Sequence, residues 1–382
     1  MQTKVCEMFG IEFPILAFTH CRDVVAAVTK AGGMGVLGAA GVTPEQLDID
    51  LRWITAEVGD RPFGVDVIVP AKYEGKAEGG LSWAHLQDMI PAAHRAFLED
   101  LLARYEVGPL PDHGGAGGSA RRGSRGERVA PMTLNQATAL LDVAFAHPIS
   151  LIANALGPPP KEMLDRAGEL GIRVAALAGK KSHAVRHVAA GVDLVIAQGY
   201  EAGGHTGEIA TMVLVPEIVD AVAPVPVLAA GGIGRGRQMA AALALGAEGV
   251  WCGSVWLTTE EAETHPTVKQ KFLAASSSDT LRSRSRTGKP ARQLRSAWTD
   301  EWDGPASPGP LGMPLQPMLI EEASRRVDRA ALDPNAKAAQ LANYFVGQIV
   351  GDMNQVKATR RVVLDMVEEF IDAVQRVDNM MQ

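Results

Sequence analysis

The chain has 382 residues, of which 47% are hydrophobic and 21% charged, and it carries a formal net charge of -7. This composition excludes a disordered chain and gives no electrostatic reason to expect a nucleic acid partner. Cys6, Cys21 and Cys252 lie far apart and include no CxxC pair, so neither a disulfide framework nor a structural zinc site is predicted.

The N-terminal sequence MQTKVCEMFG has no apolar run behind a basic start, so we expect no secretory signal. The longest uncharged stretch, 143–160, contains four prolines, which a membrane-spanning helix does not tolerate well. A cytoplasmic protein without a membrane partner is the expectation.

Eight short apolar runs recur along the chain. Their uniform apolarity, without alternation, is typical of parallel strands that are buried on both faces. The predicted strands are 15–18, 34–37, 64–69, 149–153, 173–177, 194–197, 225–229 and 249–252.

Segments of helical pattern separate these strands. Several carry residues that begin or end helices: Thr43 precedes Pro44, and Gly171, Gly191 and Gly246 follow predicted helix ends. The predicted helices are 23–30, 43–58, 133–145, 159–170, 182–190, 212–222 and 238–245. Strands alternating with helices predict an α/β fold, a (β/α)8 TIM barrel whose eighth helix is delayed to 356–377.

Two segments interrupt this repeat. We expect residues 71–130 to form an insertion that is helical at 83–105 and flexible in the Gly/Ser/Arg tract 111–128, which has no apolar residue larger than alanine to bury. The second segment, 255–350, has helical patterns at 262–275 and 319–329 around a Pro/Gly-rich stretch. The predicted organisation is a barrel domain over 1–254, a smaller capping and substrate module over 255–350, and a C-terminal helix over 351–382 that returns to the barrel.

The active site of a TIM barrel is built from the loops that follow its strands, and polar residues occur at several of these places. His20 follows the first predicted strand, Asp66 lies in the third, Asn154 follows the fourth and Lys181 follows the fifth. Cys21 and Cys252 also lie at predicted strand ends, where we favour buried apolar thiols over reactive ones.

The run AQGYEAGGHTGE (197–208) follows the sixth strand, and its glycines allow backbone to approach a ligand and present His205. A histidine can transfer a proton near neutral pH, and Glu208 is placed to orient the ring. We predict that His205 is catalytic. The alternative is a loop histidine that makes a structural hydrogen bond.

The runs LAAGGIGRGRQ (228–238) and WCGS (251–254) follow the last two strands. Glycine N–H groups at the start of a helix bind phosphate oxygens, and this is the usual phosphate position of the barrel. The first run is not a dinucleotide fingerprint, because Arg237 stands where the third glycine is required. Tight turns without a ligand are the alternative.

Residues 197–254 resemble the FMN-dependent nitronate monooxygenases, formerly called 2-nitropropane dioxygenases, which are similar to the FMN-type enoyl-acyl carrier protein reductases. The resemblance rests on AQGYEAGGHTG and PVLAAGGIGRGRQMAAALALGAEGVWCGS, and less specifically on GIEFPI (10–15), AGGMGVLG (31–38) and GQIVG (347–351).

The resemblance implies FMN as the cofactor, with His205 near the reactive face of the isoalloxazine. It also implies that Gly231, Gly232, Gly253 and Ser254 hold the FMN phosphate. The implied FMN contacts are Ala17, Phe18, Asp66, Gln198, Gly203, Gly204, Gly231, Gly232, Gly253 and Ser254. Asp66 stands where family members commonly have asparagine, and it can donate a hydrogen bond only when protonated. Asn154 stands where the family has a histidine-like residue.

The segment TLRSRSRTGKPARQLR (280–295) is rich in cations. It can meet an anionic ligand such as an acyl-CoA or a reduced nicotinamide nucleotide. The alternative is a solvated run that Asp300, Glu301 and Asp303 neutralise. The expected substrate contacts are His20, Asn154, Lys181 and Arg286.

The leading hypothesis is an FMN-dependent nitronate monooxygenase that uses O2 to convert an alkyl nitronate into a carbonyl compound and nitrite. An NAD(P)H-dependent FMN enoyl-thioester reductase is the first alternative, and a non-redox barrel that binds a phosphorylated ligand is the second. The expected partners are O2 and a small-molecule substrate, with an anionic or CoA-linked substrate and a homodimer both left open.

Overall fold

Eight parallel strands close into a barrel that follows the order of the sequence. The computed structural model describes residues 1–69, 83–110 and 134–382. The barrel strands are β1 (Ile15–Thr19), β2 (Met34–Gly38), β3 (Gly64–Val67), β4 (Leu151–Asn154), β5 (Arg173–Ala178), β6 (Leu194–Gln198), β8 (Val227–Ala230) and β9 (Gly249–Cys252), and the short β7 (Gly204–His205) lies outside the barrel. Strand β9 pairs with β1 and closes the ring. The predicted TIM barrel and its eight strands are confirmed.

Helices connect successive strands and surround the barrel. The helices up to β9 are α1 (Lys4–Phe9), α2 (Arg22–Lys30), α3 (Pro44–Val58), α4 (Trp83–Asp88), α5 (Ala92–Arg104), α6 (Leu134–Phe145), α7 (Lys161–Leu170), α8 (Lys181–Ala190), α9 (Thr211–Val222) and α10 (Gly236–Ala244). The predicted helix ends have a local cause: Thr43 Oγ1 accepts the N–H of Gln46 at the start of α3, and Gly171 ends α7 with a φ of 70°.

Side chains on the barrel strands alternate between an outer and an inner hydrophobic core. Ala17 and Val65 belong to the outer core beneath the helices, whereas Leu16 and Ala153 belong to the inner core. Helix α1, which the sequence patterns did not reveal, packs Val5 and other apolar residues onto the inner core. The hydrogen bond from Lys4 N to the Glu248 carboxylate places α1 at the amino ends of the strands, opposite the mouth.

The segment after β9 supplies most of a hydrophobic core that is separate from the two barrel cores, and we call this segment, 255–358, the capping module. Its elements are α11 (Pro266–Ala274), β10 (Thr280–Ser283), β11 (Ala291–Leu294), α12 (Ala297–Trp302), α13 (Leu315–Ala330) and α14 (Ala338–Leu341), and short 3-10 helices occur at Ser254–Thr258, Ser277–Asp279 and Gln348–Asp352. The helical patterns predicted in this segment correspond to α11 and α13. The two strands were not predicted.

The insertion is helical where the sequence predicted it, as α4 and α5. These helices do not pack only on the barrel: Leu98 and Leu101 join Trp298 and Trp302 in the core of the capping module. The guanidinium of Arg104 also donates two hydrogen bonds, of 2.7 and 2.9 Å, to Glu301. The predicted flexible tract 111–128 lies outside the described residues, and the predicted domain boundaries remain a proposal.

The capping module and the barrel share a small antiparallel sheet in the order β10-β11-β7. Ala291 on β11 pairs with His205, and Arg292 pairs with Gly204. The module therefore holds the loop that follows β6. The chain then returns to the barrel as α15 (Thr359–Asn379), which packs against α10 and α2 as the delayed eighth helix.

Within the described part of the chain, no helix is both long enough and apolar enough to cross a lipid bilayer.

Candidate active site

The inner face of the barrel becomes polar at the carboxyl ends of its strands. The alternation that turns Leu16 and Ile196 inward also turns Phe18 and Gln198 inward at the mouth. Phe18 and Gln198 are partly exposed there. A Cβ on Gly253 would lie 3.7 Å from Phe18 Cδ1, so a side chain at 253 would enter the same space.

Asp66 lies in this inward-facing layer, and the residue is 3% exposed. Its neighbours across the strands, Gly38 and Ala153, offer no polar side chain, and Oδ2 has no hydrogen-bond partner among the described residues. Burial raises the pKa of Asp66 well above its usual range. The protonated acid is therefore favoured, and it can donate a hydrogen bond as the asparagine of the family can.

His205 lies on β7 with one edge open to solvent. Its Nε2 is 2.8 Å from Thr287 Oγ1, and the Thr287 hydroxyl can donate to the carbonyl of Lys289 at 3.1 Å. Thr287 Oγ1 also accepts the backbone N–H of Lys289 at 3.3 Å, so the hydroxyl can pair with either tautomer of the ring, as acceptor from Nε2–H or as donor to Nε2. Partial burial, and secondarily the charge of Lys289, lower the pKa of His205, which favours the neutral ring at pH 7.

The structure shows Thr287, and not the expected Glu208, as the hydrogen-bond partner of His205. Glu208 is exposed and approaches Arg282, with 3.9 Å between Oε1 and Nη1. Thr287 orients the imidazole instead. It stands 82 residues further along the chain, so no local sequence pattern could have identified it.

Two adjacent glycines after β8 adopt backbone conformations that favour glycine. Gly231 has a φ of 105° and Gly232 a φ of 69°. A Cβ on Gly231 would lie 3.0 Å from Thr211 Oγ1, and one on Gly232 would lie 3.1 Å from Glu201 Cβ. The turn is therefore built to keep backbone, rather than side chains, at this edge of the mouth.

The carbonyl groups of this turn accept hydrogen bonds, whereas its N–H groups donate none within the described chain. Thr211 Oγ1 lies 3.0 Å from the Gly231 carbonyl oxygen and 2.9 Å from Glu201 Oε2, which share its one hydrogen, and Gln238 Nε2 donates to the carbonyl of Gly232 at 2.6 Å. In the part of the chain that the structure describes, the N–H groups of both glycines lack an acceptor. The same holds for Gly253 and Ser254 after β9, where the chain enters a 3-10 helix. Free N–H groups before two helix starts form a cradle for an oxyanion.

The C-terminal GQIVG motif lies against this cradle. Ser254 Oγ accepts the N–H of Gly347 at 2.8 Å, and the N–H of Gln348 donates to the Glu201 carbonyl at 2.9 Å. A Cβ on Gly203 would lie 2.9 Å from Gly347 N, so the two segments touch through backbone alone. Three motifs that are far apart in sequence thus meet at one place.

The remaining implied FMN positions are spread along the same edge. Gly204, on β7 beside His205, has a φ of 75° and open space on its Cβ side. Ala17 points its methyl group into the outer core, so only its backbone can face the mouth. His20 lies beside Phe18, with 5.2 Å between the ring centroids, and Nδ1 donates to the Gly38 carbonyl at 2.9 Å.

The other expected substrate contacts are engaged elsewhere or lie at the surface. Asn154 is fully buried, and its amide holds the loops after β3 and β4 through Val69 N at 2.9 Å and the Gly157 carbonyl at 3.1 Å. Arg286 donates to Asn343 Oδ1 at 2.8 Å inside the capping module. Lys181 is exposed in the first turn of α8. These hydrogen bonds give Asn154 and Arg286 structural roles, and direct substrate contact by any of the three residues stays a prediction.

The three thiols are free and buried. Burial raises the pKa of Cys252 to about 12 and also raises the pKa of Cys21. These shifts support the interpretation of both cysteines as inert packing residues.

The sequence matches the family model for nitronate monooxygenase over residues 2–102 and 118–369. It is 59% identical to the Mycobacterium tuberculosis (strain ATCC 25618 / H37Rv) protein Rv1533, designated a monooxygenase, over 100% of both chains. It is 28% identical to a Staphylococcus saprophyticus protein designated a nitronate monooxygenase, which covers 85% of this chain and 88% of that protein.

Two solved structures are similar over nearly the whole chain. One is nitroalkane oxidase from Streptomyces ansochromogenes, with a TM-score of 0.76, 26% identity and coverage of 98% of this chain and 99% of that one. The other is FabK from Thermotoga maritima, with a TM-score of 0.70, 26% identity and coverage of 100% and 99%.

Proposed function

The chain belongs to the nitronate monooxygenase family, and on that premise we propose that it is an FMN-dependent enzyme that oxidises alkyl nitronates with O2 to a carbonyl compound and nitrite. The observation that carries the proposal is the meeting of a neutral His205 and an oxyanion cradle at one barrel mouth. The likeness to nitroalkane oxidase over the whole chain supports it.

The residues at the mouth fit FMN. The free N–H groups of Gly231, Gly232, Gly253 and Ser254 suit a terminal phosphate, and no second dinucleotide-binding half accompanies them in the sequence. Protonated Asp66 and the amide of Gln198 offer a donor and an acceptor for the polar edge of the ring. When bound, FMN supplies the redox chemistry that connects the substrate with oxygen.

The chain itself handles protons and charge. The neutral imidazole of His205 can take the α-proton of a nitroalkane or accept a hydrogen bond from a protonated nitronate. Thr287 fixes the ring through Nε2, and the positive charge of Lys289 favours an anionic substrate in the same place. The capping module lies beside His205 because its strand β11 pairs with β7.

The test is anaerobic mixing of the purified flavoprotein with a nitroalkane and with its nitronate. We expect the parent to lose its flavin absorbance. The variant His205→Gln should slow reduction by the nitroalkane by about 10² to 10⁴, the usual contribution of a positioned base, while FMN stays bound. Equal reduction rates in the parent and the variant would remove His205 from the reaction, and a colourless protein that FMN cannot reconstitute would overturn the proposal.

A second candidate is an NAD(P)H-dependent enoyl-thioester reductase that uses the same mouth. The likeness to FabK over the whole chain and the buried Arg292 beside the His205 loop favour it. Anaerobic NADPH distinguishes the two functions. Rapid bleaching of the flavin by NADPH indicates a reductase, whereas bleaching by a nitronate without any by NADPH indicates the monooxygenase.

A further inference from the structure

Two arginines of the capping module face each other across a strand pair. Arg282 on β10 and Arg292 on β11 are direct partners in the antiparallel register. Like charges in this arrangement destabilise a sheet. The side chain of Arg282 is 16% exposed and Arg292 is 2% exposed, so water screens neither charge well.

Protein carboxylates do not compensate these charges. In the described chain, Arg292 forms no ion pair, and the ion-pair contact of Arg282 is Glu208 at 3.9 Å, whose side chain is 87% exposed. Of the acidic residues that were expected to neutralise the basic segment, Asp300 pairs with Arg295 at its end and Glu301 pairs with Arg104 outside it, so neither forms an ion pair with Arg282 or Arg292.

The ring of Tyr200 lies close to both guanidinium groups. The distances from the ring centroid are 4.4 Å to Arg292 and 5.3 Å to Arg282. Arg292 Nε also donates to the Tyr200 carbonyl at 3.1 Å, and Arg282 Nη2 donates to the Thr206 carbonyl at 3.3 Å. These contacts hold both cations under the loop that carries His205, but they stabilise the positive charge only in part.

Three buried polar atoms at this place have no hydrogen-bond partner among the described residues. They are Arg292 Nη2, Arg282 Nε and Thr206 Oγ1. Each can donate, and a buried donor without an acceptor costs free energy, more so when it belongs to a charged group. A single oxyanion would satisfy the donors and neutralise the cations.

We propose that Arg282, Arg292 and Thr206 form a binding site for an oxyanion of the phosphate class beneath the His205 loop. The site is separate from the glycine cradle after β8 and β9. The existence of this site does not depend on the proposed function. A role of the bound oxyanion as part of a substrate or reductant does rest on the proposed function. The oxyanion comes either from free inorganic phosphate or from the phosphate group of an organic ligand.

The first experiment measures thermal unfolding of the FMN-loaded protein in inorganic phosphate against chloride at matched ionic strength. FMN fills the glycine cradle, so phosphate is left with the arginine site. We expect a saturable rise of Tm in the parent. Arg292→Gln should weaken the apparent phosphate affinity at least about tenfold, as loss of a charge-assisted hydrogen bond does. Arg282→Gln is the second variant, in case the first fails to fold.

Arg295→Gln is the matched control, because it removes one cation from the same segment at a position that is exposed and already paired with Asp300. Its phosphate response should equal that of the parent. A purely structural role of Arg292 predicts the same loss of Tm with and without phosphate. That result, or no saturable rise in the parent, would overturn the proposal.

NADP⁺ and NAD⁺, which differ by one phosphate group, distinguish the sources of the oxyanion. Displacement of phosphate by NADP⁺ but not by NAD⁺ supports an organic phosphate as the ligand, and no displacement by either supports the free anion. Flavin content is measured in the same samples. A protein without flavin would end the proposed function, while the difference between the parent and Arg292→Gln would still decide the oxyanion site.

Discussion

At the scale of single residues, the site depends on groups whose protonation is set by their surroundings. Burial raises the pKa of Asp66, and partial burial with Lys289 nearby lowers the pKa of His205. Both shifts favour the uncharged form of the side chain. Asp66 can then donate a hydrogen bond as an acid, and His205 can accept a proton as a base. Neither state can be read from the residue type.

Asp66→Asn tests this assignment through stability. Because the folded protein holds the Asp66 proton to a higher pH than the unfolded chain, whose aspartates titrate near about 3.9, its stability falls as the pH rises through that window. The asparagine variant does not have this cost. We expect it to unfold at higher denaturant than the parent at pH 7, with the gain shrinking to nothing by about pH 4.

The measurement is urea unfolding of both proteins with saturating FMN across that pH range. Asp66→Leu is the control for FMN contact, because it is similar in size but cannot hydrogen-bond, and it should bind FMN less tightly than the asparagine variant. Equal stability of parent and Asp66→Asn at pH 7 would contradict a buried, protonated Asp66.

At the scale of elements, glycines fix how helices and loops approach one another. Gly236 opens α10, and its backbone touches α15, where Glu369 accepts the N–H of Gly236 at 2.8 Å. The carboxylate of Glu369 also forms ion pairs with Arg235 and Arg237. These contacts hold α15 at the start of α10, the helix that follows the glycine cradle. The position of the delayed eighth helix therefore affects the glycine cradle at the mouth.

Gly236→Ala should separate these two helices. A Cβ at 236 would lie 2.0 Å from the carbonyl oxygen of Met366, which is backbone and cannot move alone. We expect a loss of stability of about 2 kcal/mol or more, in the range of overpacking, and weaker FMN binding. The matched control is Gly168→Ala within α7, where a Cβ meets no atom within 4 Å. There alanine should stabilise by up to about 1 kcal/mol.

At the scale of the whole molecule, the candidate site is a junction between two hydrophobic cores. The barrel supplies the cradle and Asp66, the capping module supplies Thr287 and Lys289, and β7 is paired to β11 of the module. The helices of the insertion are packed into the core of that module rather than standing apart. FMN binding at the mouth should therefore stabilise, at the same time, segments that are distant in sequence.

Hydrogen exchange with and without FMN tests this coupling. We expect slower exchange on FMN binding in 199–209, 231–235 and 346–351 together, because these segments meet at the cradle. Helix α1, at the opposite end of the barrel, is the internal control and should not change. Protection confined to the segment 231–235 would show that the three motifs do not form one site.

The sequence by itself determined the barrel, its eight strands, their connecting helices and the motifs that carry the family resemblance. These features are local: buried parallel strands need continuous apolar runs, and helix ends and tight turns need particular residues at particular places. The identity of His205 and the glycine turns as candidates followed from their positions after strands, and that of Asp66 from its place in the third strand and from the family resemblance.

Only the tertiary structure decided how these residues are used. Asn154 and Ala153 are neighbours, and the strand alternation turns Ala153 into the barrel and leaves the amide of Asn154 to the loops. Thr287 and the pair of Arg282 with Arg292 depend on strands from a separate module meeting the β6 loop. Such contacts join segments about 80 residues apart, and no local pattern encodes them because their geometry arises only when both hydrophobic cores have packed.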